Sequence, residues 1–225
     1  MNEIPSLIIV LSAGYLLSGI FYGLILLTDF LKSLHGWSWI SRYSTLLISC
    51  FLTFCISKII GNQEYQFRNL HHPSIYIIAL ITVAITVCII LRKNDDTDRT
   101  PCEIVSYGLD GFAMEIAQRW MMQPLITWML IRFHISSIDF FTILLTAVIW
   151  CLGILTQAFL QSASMDRKLI VDVISSFIFS IGISTVFQMS HFIILTMSAH
   201  VLERVISAVM QNKRLHRKPC NPSNL

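Results

Sequence analysis

The strongest constraint on this chain is a series of apolar runs, most of them about 18 residues or longer and nearly free of charge. Runs of that length match the hydrocarbon thickness of a bilayer. In lipid, every backbone N–H and C=O must find its partner inside the protein, which leaves helices and closed barrels. Barrel strands alternate with a period of two, and these runs do not alternate. The sequence therefore predicts an all-α, polytopic integral membrane bundle. Composition agrees. Charged residues make up 13% of the chain and hydrophobic residues 55%, whereas soluble domains carry about a quarter charged residues.

Seven spans are predicted: Ser6–Thr28, Ile40–Ile60, Pro73–Leu91, Phe112–Phe133, Phe140–Leu160, Leu169–Gln188 and Phe192–Met210. They make one seven-helix transmembrane domain over residues 1–212, followed by a basic cytoplasmic tail over 213–225. The boundary between the last two spans rests on length alone, because no Gly or Pro lies near Ser190. An unbroken helix from Leu169 to Met210 would be about 60 Å long, twice the hydrocarbon core. The first span lacks a basic leader and a small-residue cleavage site, so it is expected to remain and to act as its own insertion signal.

The basic residues orient the bundle. With seven spans and the N-terminus outside, eleven of the 16 Lys and Arg fall inside: Lys32, Arg42, Arg92, Lys93, Arg99, Arg167, Lys168, Lys213, Arg214, Arg217 and Lys218. Three fall outside: Lys58, Arg68 and Arg132. The remaining two, Arg119 and Arg204, lie within spans. The positive-inside rule favours this arrangement, with the C-terminus in the cytoplasm. The basic tail would also favour anionic headgroups by about 1 kcal/mol per residue. Trp37 and Trp39 suit an interfacial aromatic belt. The longest inner loop, Arg92–Gly111, reads as solvated, with Asp95, Asp96, Asp98 and Glu103.

Polar residues inside the spans recur every four positions, which keeps them near one helix face. The rows are Ser41, Thr45, Ser49, Thr53 and Ser57; Glu115, Arg119, Gln123 and Thr127; Asp172, Ser176, Ser180, Ser184 and Gln188; and Thr196, His200 and Arg204, with Glu203 alongside. The hydroxyl rows suit either a hydrated cavity or ordinary helix packing. Gly19 and Gly23 form a GxxxG spacing, a close-packing signature.

Charge says more, because an unpaired charge at mid-membrane costs about 3 kcal/mol or more. Arg119 and Arg204 both lie about 10 Å deep on the inner side, which makes Glu115–Arg204 and Arg119–Glu203 pairs possible. Asp172 comes in near the same surface, and His200 sits one turn deeper. Glu115, Arg119, Gln123, Asp172, His200, Glu203 and Arg204 are therefore the candidate ligand or ion pathway. A structural salt-bridge lock is the competing reading.

Other chemistry finds little support. Cys50, Cys55, Cys88, Cys102, Cys151 and Cys220 include no CxxC pair, so neither a disulfide framework nor a metal site is indicated. Only His191 and His200 are plausibly embedded, and no cofactor is expected. The stretch Arg119-Trp120-Met121-Met122-Gln123-Pro124-Leu125 resembles the third-helix motif of microbial rhodopsins in combining Arg, Trp and Pro-Leu. A retinal Schiff base also needs a mid-span lysine in the last helix, and every lysine here lies at a span end or in a loop. No P-loop, HExxH or GxSxG is present. The net charge of +3 follows from topology, and nucleic acid is not an expected partner.

Three functional readings follow. The first is movement or sensing of an ion or small solute through the inner polar cluster. The second is a membrane-embedded enzyme on a lipid-like or isoprenoid substrate, with Glu115, Asp172 or Glu203 as catalytic general acid. The third is a non-catalytic subunit of a membrane complex. The lipid bilayer is the expected partner, with membrane-protein partners possible.

Overall fold

The computed structural model describes residues 3–35, 38–61, 69–93, 97–161 and 164–217. Trp37, Arg68, Asp95, Asp96 and the tail beyond Arg217, including Lys218 and Cys220, lie outside the described residues. So do the side chains of Lys32, Trp39, Ser41, Arg42 and Arg217.

Among the described residues the regular structure is helical throughout. The helices are α1 (Ile4–His35), α2 (Ser38–Ile60), α3 (Pro73–Ile90), α4, α5 (Ile138–Leu160), α6 (Arg167–Ser190) and α7 (Ile193–Arg217). Helix α4 is composite: Pro101–Glu115 continues through a π-helical segment, Ile116–Met122, into Gln123–Arg132. All but α4 are long and apolar enough to cross a bilayer, and the chain is an integral multi-pass membrane protein. Large apolar side chains such as Leu16, Phe51, Leu80 and Ile85 stand exposed on the outer surface, as lipid contact requires. Helix α4 has the length to cross but carries Glu115 and Arg119 at its centre, both fully buried among the other helices.

Contacts at the helix ends define two faces. At one face the Glu3 carboxylate accepts from the Ser136 N–H at 3.1 Å and its hydroxyl at 2.9 Å. There too, Asn69 donates to the Met189 carbonyl at 3.2 Å. This amino face holds the starts of α1, α3, α5 and α7. At the opposite, basic face, Lys93 meets Asp172 at 2.7 Å, Asn212 donates to the Arg99 carbonyl at 2.6 Å, and Arg214 donates to the Leu91 carbonyl.

Local chemistry explains the breaks. Asp166 caps α6 by accepting from the Leu169 N–H at 2.9 Å. Between α6 and α7, His191 takes a left-handed conformation with φ 51° and closes the C-terminus of α6. The turn expected near Ser190 is therefore present without the usual glycine. The last helix runs on to Arg217, so Lys213 and Arg214 extend from a helix.

Two sequence expectations are corrected. Residues 101–111 are helix rather than loop, so α4 starts eleven residues before Phe112. The cause is a capping box: Thr100 accepts from the Glu103 N–H while the Glu103 carboxylate accepts from the Thr100 N–H at 2.8 Å, with Pro101 in the first turn. These bonds hold the Glu103 carboxyl below its usual range. Secondly, a Cβ added at Gly19 or Gly23 would meet no neighbouring helix within 4 Å. Close packing falls instead at Gly182 on α6, where an added Cβ would collide with the Thr82 side chain of α3.

The core divides in two. Phe21, Tyr22 and Trp150 join α1 to α5 with ring centroids 5.4–6.1 Å apart; Met121, Met122 and Ile126 of α4 pack against them. On the other side, Val83, Phe179 and Ile183 join α3 to α6. The polar face of α4 lies between these clusters.

Candidate polar site

Pro124 sets the geometry of α4. It has no N–H to donate, and its ring would strike the carbonyl four residues back in a regular helix. The helix widens just before it, and the Gln123 N–H donates to the Gln118 carbonyl, five residues back. Such π turns resettle a backbone that proline disturbs inside a membrane. Gln118, Arg119, Met121 and Met122 are buried by this turn, while Trp120 is left exposed.

The Arg119 side chain is 0% exposed. Its Nε donates to Glu115 Oε2 at 3.1 Å, and one terminal nitrogen donates to Ser184 Oγ at 2.5 Å. Longer bonds, 3.4 Å each, reach Gln123 Oε1 and the Ser180 carbonyl. The guanidinium thus bridges α4 and α6. Its charge is neutralised one turn away on its own helix, which offsets the cost of holding it in an apolar layer.

The other oxygen of Glu115 lies 2.8 Å from His200 Nδ1 on α7. Arg204 Nε donates to His200 Nε2 at 3.2 Å. An arginine cannot accept, so Nε2 is the unprotonated nitrogen and the proton sits on Nδ1, donated to Glu115. His200 is therefore neutral in this arrangement. The Arg204 guanidinium lies over the Tyr107 ring at 4.5 Å, and Arg99 lies over the same ring at 5.2 Å. Gly111 makes room for this: a Cβ there would stand 2.8 Å from Arg204 Cδ and 3.0 Å from the His200 ring.

Toward the amino face, the bonds continue. Gln123 Nε2 donates to Gln188 Oε1 at 3.0 Å, and Gln188 Nε2 donates to Asp139 Oδ1 at 2.6 Å. Asp139 is exposed at the start of α5. Toward the basic face the helices part around a cavity of about 390 Å³. His200, Arg204 and Gln118 line its inner part; Tyr22, Trp150 and Phe179 line its walls; Lys93, Arg99 and Asp172 lie where it opens.

Five of the predicted residues, Glu115, Arg119, Gln123, His200 and Arg204, thus form one connected set. Asp172 and Glu203 line the cavity below it. Asp172 is held by Lys93, and Glu203 accepts from Ser207 at 3.4 Å. The expected Glu115–Arg204 and Arg119–Glu203 pairs do not form. Spacing of four residues lets Glu115 and Arg119 satisfy each other on one helix, and His200 stands between Glu115 and Arg204. Sequence reasoning missed Arg99 and Tyr107, which it left in a loop. Their signal was Thr100-Pro101-Cys102-Glu103, a capping box that starts a helix.

Of the hydroxyl row on α2, Ser49 and Ser57 donate to carbonyls of their own helix, and the buried Thr53 hydroxyl has no hydrogen-bond partner among the described residues. No group of three or more metal-ligating side chains occurs among the described residues. Compared with known proteins, the chain matches no family model, no curated protein and no solved structure.

Proposed function

We propose that this protein moves or senses a small ionic solute, which enters the cavity at the basic face and is held back from the amino face by the Arg119 network. One observation carries the reading. The cavity ends on His200, and from His200 a run of side-chain hydrogen bonds continues through Glu115, Arg119, Gln123 and Gln188 to Asp139 at the other face. A purely structural lock would account for the Glu115–Arg119 pair but not for a chamber that ends on its partner His200. The cavity also carries charges of both signs, unlike a closed apolar pocket ending in a single carboxylate. That contrast favours passage of a solute over acid–base chemistry on a lipid-like substrate.

In this reading α4 is the seventh crossing. Arg92, Lys93, Arg99, Arg167, Lys168, Lys213 and Arg214 belong to the basic face, and Lys58 and Arg132 to the amino face. The positive-inside rule then puts the cavity mouth in the cytoplasm.

Full-length protein reconstituted in liposomes tests this. In a cysteine-free background, Ser176→Cys on the cavity wall is expected to react with a membrane-impermeant thiol reagent only from the basic side. Gln188→Cys is expected to react only from the amino side. A panel of ions is then supplied across the membrane while an entrapped dye reports internal pH, and the labelling is repeated with each ion. The reading fails if Ser176→Cys is inert from the basic side. It also fails if no ion changes either the dye signal or the labelling.

A further inference from the structure

The charged residues that line the cavity, among the described residues, are Lys93, Arg99, Arg204, Asp172 and Glu203. Lys93 and Asp172 cancel at 2.7 Å, and behind the inner wall Glu115 and Arg119 cancel at 3.1 Å. Arg204 makes no ion pair with a carboxylate among the described residues. Its five N–H groups are lightly used: one bond of 3.2 Å to His200, one of 3.4 Å to the Tyr107 carbonyl and one of 3.8 Å to Met114 Sδ. A guanidinium fixed over an aromatic ring, with donors to spare and a chamber beside it, suits planar recognition of an oxyanion.

We infer that the cavity binds a small oxyanion, a carboxylate or a phosphate-like group, through Arg204 with Arg99 beside it, and that a proton on His200 strengthens that binding. The inference rests on the solute-passage reading above and gives the class of solute. His200 Nε2 accepts from Arg204. Protonation at Nε2 turns this acceptor into a donor facing a donor, so the bond is lost and the Arg204 guanidinium is released toward the chamber. The imidazolium stays bonded to Glu115, and the chamber gains one positive charge. Anion and proton therefore favour each other's binding.

The surroundings of His200 bear on the sign. From α4 it meets Glu115 and Arg119, with Tyr107 and Asp110 further along that helix. On its own helix lie Glu203 and Arg204. Across the chamber stand Tyr22 of α1, Asp172 of α6, and Lys93 and Arg99 at the mouth. Helices α3 and α5 contribute Thr86, Ile90, Trp150 and Gln157 to the lining, none of which titrates. The Glu115 carboxylate is thus the direct partner for an imidazolium, while Arg204 is the cation its formation displaces.

An oxyanion at this depth could be a free solute or the phosphate of a lipid headgroup, so the test has two arms. Full-length protein in phosphatidylcholine nanodiscs is titrated calorimetrically with sulfate, which keeps its charge between about pH 5.5 and about pH 7.5, and with acetate at the higher value. The second arm replaces part of the lipid with phosphatidylglycerol and reads thermal stability. Saturable sulfate or acetate binding is expected, with sulfate tighter at the lower pH. Arg204→Gln and Arg99→Gln should each weaken it by about tenfold, and His200→Gln should remove the pH dependence while binding persists. Arg99→Gln alters the cavity mouth and keeps the test decisive if Arg204→Gln fails to fold. Stabilisation by phosphatidylglycerol alone, lost in the same arginine variants, supports the site with a headgroup as its occupant. The inference is overturned if neither arm responds, or if both arginine variants behave like the parent. Sodium or potassium binding that is abolished by Glu203→Gln, without anion binding, also overturns it. Anion binding without any ion response in liposomes would instead defeat solute passage and leave the site standing, whereas cation flux without anion binding would do the reverse.

Discussion

On the amino side of Glu115, polar side chains of α4, α5 and α6 are joined to one another: Arg119 to Ser184, Gln123 to Gln188, Gln188 to Asp139. On the basic side, polar groups of α4, α6 and α7 such as Tyr107, Asp172, Ser176, His200 and Arg204 surround a chamber of about 390 Å³. Both halves answer one demand, that a polar group in lipid must have a partner. The amino half meets it with direct bonds. The basic half meets it around an open chamber. In the proposed reading this difference puts the seal at Arg119 and the chamber beneath it.

The largest expected effect breaks the seal. Arg119→Met leaves Glu115 buried with only His200, and should cost about 3–5 kcal/mol in thermal unfolding of the membrane-reconstituted protein. Adding Glu115→Gln should recover more than half of that loss. A double variant no better than the single one would show that the two charges do not stabilise each other.

Gly111→Ala strikes the chamber without touching the seal. The new Cβ meets Arg204 Cδ at 2.8 Å, and overpacking of this kind costs about 1–3 kcal/mol. Thiol labelling of Ser176→Cys should change while that of Gln188→Cys stays constant; equal changes at both would dissolve the distinction between the halves. Gln188→Ala cuts the ladder near the amino face. It should cost about 1 kcal/mol and raise labelling of a cysteine at Thr127 from that face.

Lys93→Ala should scarcely register, at about 0–1 kcal/mol and less in high salt. The pair it breaks is partly exposed, 20% for Lys93 and 40% for Asp172. Glu103 gives the smallest signal. Its bonds to Thr100 lower its pKa from 4.5. Its support for the start of α4 is therefore complete above that value and fades as pH falls through the lowered one. Helical circular dichroism of Glu103→Gln should lack this acid-side component.

Much of this was legible in the residues themselves. Apolar runs and the turn near Ser190 gave the helices, and four-residue polar spacing gave the face of α4 that carries Glu115, Arg119 and Gln123. Pairing across helices was not legible, because matched depth says nothing about azimuth. Glu115 had a partner on its own helix and another in His200, and either could precede Arg204. The extension of α4 to Pro101 was hidden by its polarity, since hydropathy sees a loop where a capping box begins a helix. The GxxxG spacing of Gly19 and Gly23 misled for a related reason. It shows that a helix can be approached closely, and α1 is approached at Gly14, by Ile149, rather than at this pair.

The π segment Ile116–Met122 also amounts to one residue inserted into α4. Its bond from the Gln123 N–H to the Gln118 carbonyl uses five residues for about the turn that four take in a regular helix. The extra residue is absorbed within the stretch, so Tyr107 and Gly111 keep nearly the azimuth relative to Gln123 that an unbroken helix would give them. Deleting one residue inside the segment would restore the ordinary pitch and leave the two ends of α4 aligned, whereas the same deletion in the regular helix on either side would swing one end by about 100°. The short stretch is thus an expansion joint, the one place in α4 where a change of length leaves the angular setting of its two halves nearly intact.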